Sequence, residues 1–190
     1  MTRTAKILIA ASFLGFISLG LFGPIYAIFV QKIGGDVLEA GVAYGIFSIV
    51  SGLFVFFVGR RDFFKRRLRQ MAVLGYVLFT VGNAGYLVIQ NPTQLFFVQI
   101  ILGIAGGILE PSWDGLFSAN LTEERAAHFW ATWAGMQNIA TGIGALAGGI
   151  LVAVYSFRVL FLVILVLNII ATTIAFRVLK ADNIQVQKVV

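Results

Sequence analysis

Six long apolar runs, separated by short charged or turn-forming segments, constrain this chain more than any other feature. A helix that crosses a bilayer needs about 20 mostly apolar residues, and each run is of about that length. We therefore predict an all-α membrane protein whose single six-helix transmembrane domain occupies residues 1–190. The predicted transmembrane helices are Ile7–Val30, Leu38–Val58, Gln70–Ile89, Gln94–Ala119, Phe129–Tyr155 and Phe157–Leu179.

The composition excludes several function classes. Charged residues make up 12% of the 190 residues, whereas an average soluble domain has about 25%. The sequence has no cysteine and one histidine, so it offers no thiol nucleophile and no metal-binding cluster. We predict neither a metal nor a cofactor. An enzyme is disfavoured as well, because no Ser/His/Asp set and no phosphate-binding loop is present.

The basic residues predict how the chain inserts into the membrane. Lys and Arg are retained on the cytoplasmic side. With a cytoplasmic amino terminus, the outer loops carry only Lys32 and Arg158 of the 14 basic residues. We therefore expect an integral protein of the cell membrane, inner or plasma, with both termini in the cytoplasm. The net charge of +6 then reflects topology, and no nucleic-acid partner is predicted.

The first and fourth apolar runs resemble each other. LGFISLGLFGPIYAIF (Leu14–Phe29) and LGIAGGILEPSWDGLF (Leu102–Phe117) both begin with Leu-Gly and carry a proline followed two positions later by an aromatic residue. Pro24 lies late in a helix that runs outward, and Pro111 lies late in one that runs inward. The pattern predicts kinks near opposite membrane faces and an inverted repeat of three plus three helices around a central site.

Two acidic residues lie within the fourth run. Residues three, four and seven apart share one face of a helix, which places Glu110 and Asp114 on one stripe with Gln99. A charged residue near the bilayer centre costs about 2.5–3.5 kcal/mol, so an acid there is a functional candidate. We predict Glu110 as the main protonation site and Asp114 as a second site or part of the inner gate. The alternative is that Asp114 pairs with the basic loop and only fixes packing.

The fifth run has a comparable polar and small-residue stripe. Its glycines Gly144 and Gly148 predict close helix packing, and Trp133 is predicted as either a cavity wall or an interfacial anchor. The third and sixth runs, with one asparagine each, are expected to form the lipid-facing exterior. The full set of predicted proton- and substrate-binding residues is Glu110, Asp114, Gln99, Tyr26, Trp113, Trp133, Gln137 and Asn138.

From about Gly41 to Leu179 the chain resembles half of a major facilitator superfamily transporter. The loop after the second helix reads approximately G-x-L-A-D-R-x-G-R-R in that family, and VGRRDFFKRR supplies Asp62, Arg66 and Arg67 at matching positions. The segment LTEERAAHFWA resembles a family segment with acids before an arginine, here Arg125.

Two family patterns are altered. GALAGG resembles the helix 5 pattern G-P-x-x-G-G with Ala145 in place of the proline, and Gln99 stands where many members carry an arginine. By resemblance, Asp62, Arg66, Arg67 and Arg125 form an inner gate. The alternative for this basic loop is a topology anchor that attracts anionic membrane lipid.

The resemblance implies a function and a partner. Family members have twelve helices in two halves, so a six-helix chain is expected to pair with a second identical chain around one cavity. We predict a homodimeric, proton-coupled antiporter that works by alternating access and exports small cationic or amphipathic molecules. Aromatic neighbours of the acids, Tyr26, Trp113 and Trp133, suit cations. The alternatives are a sugar or organic-acid proton symporter, a non-transporting membrane scaffold or regulatory subunit, or half of a longer protein.

Overall fold

The computed structural model describes residues 3–61, 64, 66–118 and 123–180, with the backbone alone for residues 3 and 123–125. Within these ranges the chain is helical and has no β-strand, which confirms the predicted all-α fold. The helices are α1 (Arg3–Phe22), α2 (Tyr26–Lys32), α3 (Val37–Arg60), α4 (Leu68–Gly85), α5 (Pro92–Ser118), α6 (Glu123–Val154) and α7 (Phe157–Phe176). Short 3-10 turns occupy Gly23–Ile25 and Arg177–Lys180.

The helices α1 and α2 are two parts of the first predicted membrane helix, so the described residues follow the six predicted runs. Five helical stretches among these residues are long and apolar enough to cross a bilayer, and only α4 falls outside that group. The two predicted kink sites differ. At Gly23–Ile25 the chain leaves the α-helical conformation for one turn around Pro24. At Pro111, by contrast, α5 continues without interruption.

The start of α3 is fixed by a reciprocal cap. The Asp36 carboxylate accepts a hydrogen bond from the Glu39 backbone N–H at 3.0 Å, and the Glu39 carboxylate accepts one from the Asp36 N–H at 2.6 Å. This capping box satisfies two of the N–H groups that a helix start leaves unpaired. The turn that precedes it uses Gly34 at φ 86°, a conformation that favours glycine.

Asp36→Ala is expected to lower the thermal stability of the protein, whereas Asp36→Asn keeps a good capping side chain and most of the stability. The hydrogen bond from the Glu39 N–H lowers the pKa of Asp36 below its ordinary value of 3.8. The cap of the parent protein is therefore fully present above pH 3.8 and lost as pH falls through the lower folded-state value. Thermal unfolding of both variants across acidic pH checks this. An Asp36→Ala protein as stable as the parent at neutral pH would contradict it.

The helices pack in a defined order. Helix α5 packs against α3 and α4, α1 packs against α6 and α7, and α4 joins the two groups by packing against α7. The resulting sequence of neighbours is α3, α5, α4, α7, α1, α6. The terminal members α3 and α6 are the least covered, with 11% and 17% of their apolar windows buried compared with 44% for α5.

Polar side chains join α4 to α7 in the middle of this order. The hydroxyl groups of Thr80 and Thr172 are 2.8 Å apart, and the Thr172 hydroxyl donates to the Tyr76 carbonyl at 3.1 Å. Helices α4 and α7 do keep exposed apolar residues such as Val81 and Val166. The sequence, however, assigned these two helices only to the lipid-facing exterior, whereas they also form the centre of the unit.

Glycines permit the closest helix approaches. On α6, a Cβ atom built on Gly148 or Gly144 would overlap a backbone carbonyl oxygen of α1, that of Leu21 or Ile17. On α5, a Cβ atom on Gly103 would lie 2.8 Å from the Phe47 carbonyl oxygen of α3. The small residues that the sequence placed on the fifth helix therefore lie at its interface with α1, where close backbone approach requires them.

Candidate functional site

The two acidic residues of α5 lie on its uncovered side. Gly107 faces α3, and Trp113 faces α6, where its ring centroid is 4.1 Å from that of Trp133. Successive helical residues turn by about 100°, so Glu110 lies midway between these two directions. Both Glu110 and Asp114 are exposed, and neither has a hydrogen bond or ion pair with any residue that the structure describes. We call the uncovered face that carries Glu110 and Asp114 the acidic face.

An aromatic cluster borders the acidic face on the α6 side. The ring of Trp113 packs on Phe117 at 4.3 Å as well as on Trp133, and Trp133 also meets Phe16 of α1 at 5.3 Å between centroids. Trp133 is half-buried and Trp113 is buried. The predicted pair of tryptophans is thus in direct contact, and Trp133 is the member with surface available to a ligand.

A buried hydrogen-bond network fixes the position of the Trp113 indole. Its Nε1–H donates to the Tyr76 hydroxyl at 3.2 Å, and that hydroxyl also lies 2.6 Å from the Ser12 hydroxyl. The network joins α1, α4 and α5 beneath the cluster. It satisfies the polar atoms of side chains that are buried among apolar helices, where an unpaired group is costly.

Gln99 does not lie on the acidic face, although it shares a helical stripe with Glu110. It is only 4% exposed. Its side-chain amide donates to the hydroxyl of Tyr26 at 2.7 Å and to that of Tyr86 at 3.3 Å. Gln99 therefore ties α5 to the start of α2 and to the end of α4, next to the 3-10 turn at Pro24. Two phenol oxygens that need a donor explain why it turns inward.

Gln99→Leu is expected to destabilise the protein by about 1–3 kcal/mol, because the hydroxyl groups of Tyr26 and Tyr86 lose their donor inside the bundle. Gln70→Leu is the matched control, since Gln70 lies exposed on α4. Thermal unfolding of both purified variants in the same detergent measures the difference. An equal loss in the two variants would contradict the structural role of Gln99.

The remaining predicted residues are only partly brought together. On α6, Gln137 is half-buried and Asn138 is exposed. Arg66 and Arg67 are exposed at the α3–α4 end of the bundle. Asp62 and the side chain of Arg125 lie outside the described residues, so the inner-gate network stays a prediction. Within the described ranges, His, Asp and Glu side chains form no cluster of three that suits a metal ion.

Sequence reasoning missed four residues that shape the site. Ser12 and Tyr76 support Trp113, Phe16 extends the aromatic cluster, and Tyr86 shares the Gln99 amide. A tyrosine inside an apolar helix is itself a signal, because its buried hydroxyl needs a partner. The sequence alone does not tell which partner each of the two tyrosines finds.

A match to a known protein family covers nearly the whole chain. The sequence profile of the Major Facilitator Superfamily matches residues 8–188. The chain belongs to the Major Facilitator Superfamily. This family consists of transporters, and the membership confirms the resemblance drawn from the VGRRDFFKRR loop and the half-transporter fold.

Similar proteins are transporters or resistance proteins by name. An uncharacterized MFS-type transporter of Methanocaldococcus jannaschii is 24% identical over 178 residues, which cover 93% of this chain and 45% of that protein. Multidrug resistance protein MdtG of Erwinia billingiae is 25% identical over 77% of this chain and 36% of its own length. The methylenomycin A resistance protein of Bacillus subtilis is 28% identical over 57% of this chain and 23% of its own. The chain thus spans less than half the length of these relatives.

Proposed function

We propose that this superfamily member is a secondary active transporter that exports small cationic or amphipathic molecules in exchange for protons. The acidic face carries the proposal. Glu110 and Asp114 lie exposed on a membrane-spanning helix without a partner among the described residues. Because a carboxylate facing hydrocarbon is costly, this face must border water or another protein surface. Such a carboxylate is suited to exchange protons and to attract a cation.

The bordering residues and the names of relatives support the substrate class. Trp133 offers a half-buried indole beside the two acids, and an indole face attracts cations. Relatives are named for multidrug and methylenomycin A resistance, which supports export rather than uptake. In the proposed cycle Glu110 releases its proton when the cation binds and takes up another when the cation leaves. Asp114 provides a second negative charge one turn away.

A second identical chain is proposed to complete the cavity. The described residues form six long helices, counting α1 and α2 as one, and the chain spans under half the length of these relatives. Its least covered helices, α3 and α6, lie at the two ends of the packing order. Helix α3 packs next to α5, and α6 packs next to α1. A second copy related by an axis along the membrane normal would cover α3 and α6 and enclose four carboxylates. Rocking of the two units would then give alternating access.

The packing order also supports the three-plus-three inverted repeat. Exchanging the first three membrane helices for the last three replaces α1 by α5, α3 by α6 and α4 by α7. After this exchange every pair of neighbouring helices is preserved, and the order is simply reversed. Both outer interfaces, α3 with α5 and α1 with α6, are lined by glycine. A pseudo-twofold unit of this kind borders a central site in many transporters.

The particle mass tests the dimer. Native mass spectrometry of the chain, released gently from membranes, is expected to give twice the 20.7 kDa of one chain. Addition of a separately tagged copy of the same chain during expression should yield mixed dimers. A purely monomeric particle that still folds, or a complex with a different chain, would contradict the homodimer.

Proton movement tests the transport activity. Liposomes that contain the purified chain and a pH-sensitive dye are expected to change their internal pH when a cationic amphipathic dye is added to one side. Liposomes without protein give the background. A response to sugars or organic acids alone would contradict cation export and favour a symporter, and no response to any solute would favour a scaffold.

A further inference from the structure

A shallow depression of about 470 Å³ opens at the end of the bundle opposite the Arg66–Arg67 segment. Its walls come from the end of α2, the segment that follows α4, and the start of α7. On the predicted topology this is the outer face of the membrane. The depression is separate from the acidic face and plays no part in the proposed transport cycle.

Two cations that are far apart in the sequence line this depression. Lys32 closes α2 and Arg158 lies in the first turn of α7. They are the only basic residues in the predicted outer segments, although the positive-inside tendency disfavours cations there. The Lys32 Nζ lies 5.3 Å from the centre of the ring of Phe157, the residue that precedes Arg158 in the sequence.

The described lining contains no carboxylate to neutralise the two cations. Asp36 and Glu39, the acids that follow Lys32 most closely in the sequence, do not line it and instead bond to each other's backbone in the cap of α3. The positive end of the α7 helix dipole adds to the charge of Arg158 at the same place. Buried aromatic rings, Phe29 and Phe157, form an apolar floor under these charges.

We propose that this depression binds a phosphate group, carried either by an anionic lipid headgroup or by a free phosphate anion. Arginine offers a planar fork of donors to phosphate oxygens, and lysine adds a point charge. The apolar floor suits the glycerol and upper chain carbons of a lipid, because it excludes water next to the charged rim.

The lipid arm of the test uses the intact chain reconstituted in phosphatidylcholine vesicles that contain a minority of phosphatidylglycerol. Native mass spectrometry then counts the phosphatidylglycerol molecules retained per chain. Lys32→Gln/Arg158→Gln is expected to retain one fewer than the parent. The control Lys6→Gln/Arg177→Gln removes the same charge from exposed positions at the other end of the bundle and is expected to lose none.

The phosphate arm uses the chain in phosphatidylcholine alone and measures thermal unfolding with added inorganic phosphate. Protection of the parent but not of Lys32→Gln/Arg158→Gln, with unchanged lipid counts, assigns the site to free phosphate. A lost lipid without phosphate protection assigns it to a headgroup. The charge-keeping variant Lys32→Arg/Arg158→Lys is expected to bind as the parent does. Equal lipid counts and equal phosphate protection in the parent and the neutralised variant would overturn the proposal.

Discussion

Glu110→Gln is expected to abolish substrate-driven proton movement in the liposome assay while the protein stays folded. Glutamine has nearly the same shape as glutamate but cannot exchange a proton near neutral pH. Loss of the response follows because the remaining acid of the face, Asp114, lies a full turn away. The variant should also be as stable as the parent, because Glu110 is exposed and has no hydrogen bond or ion pair to lose among the described residues.

Glu39→Gln is the matched control for this variant. It makes the same chemical change at the start of α3, where Glu39 takes part in the cap and glutamine can replace it. Proton movement is therefore expected to match the parent. A Glu110→Gln protein that moves protons at the parent rate would remove Glu110 from the coupling mechanism, and loss in Asp114→Asn alone would transfer the role to Asp114.

Gly148→Ala is expected to destabilise the protein strongly. A Cβ atom there would lie 2.7 Å from the Leu21 carbonyl carbon and 2.8 Å from its Cα, and it would overlap the carbonyl oxygen. These are backbone atoms of α1, so a rotamer change cannot make room and the two helices must separate. Overpacking of this kind costs about 1–3 kcal/mol.

The adjacent glycine provides a control substitution that is expected to raise the stability of the protein. Gly149 is exposed on the same helix, and a Cβ atom there meets nothing within 4 Å. Gly149→Ala should therefore stabilise the protein by up to about 1 kcal/mol through helix propensity alone. Thermal unfolding of both variants in one detergent measures the difference. If Gly148→Ala were as stable as Gly149→Ala, the close approach of α6 to α1 would be wrong.

The sequence predicted the fold class because membrane helices obey a length rule that needs no tertiary information. A run of apolar residues long enough to cross the bilayer must be helical to satisfy its backbone. The described helices follow the six runs, and the family match to residues 8–188 agrees with the loop motif. The small residues of the fifth run also indicated close packing before Gly144 and Gly148 were located at α1.

The direction of individual side chains was harder to predict. Residues that recur every three to four positions share one face of a helix. Whether that face is buried still depends on which other helices pack against it at each level. Helix α5 packs against both α3 and α4, and at Gln99 it also meets Tyr26. Gln99 therefore turns inward to two phenol oxygens, whereas Glu110, three turns further along the same stripe, stays exposed.

By itself, the sequence determined that the chain is an all-α membrane protein and that two acids lie on one of its helices. Only the tertiary structure decided which helix sides are covered. It buried Trp113 against Tyr76, left Glu110 and Asp114 uncovered, and brought Lys32 and Arg158 to one depression. The physical reason is that length and hydropathy are properties of single segments, whereas burial depends on which segments become neighbours.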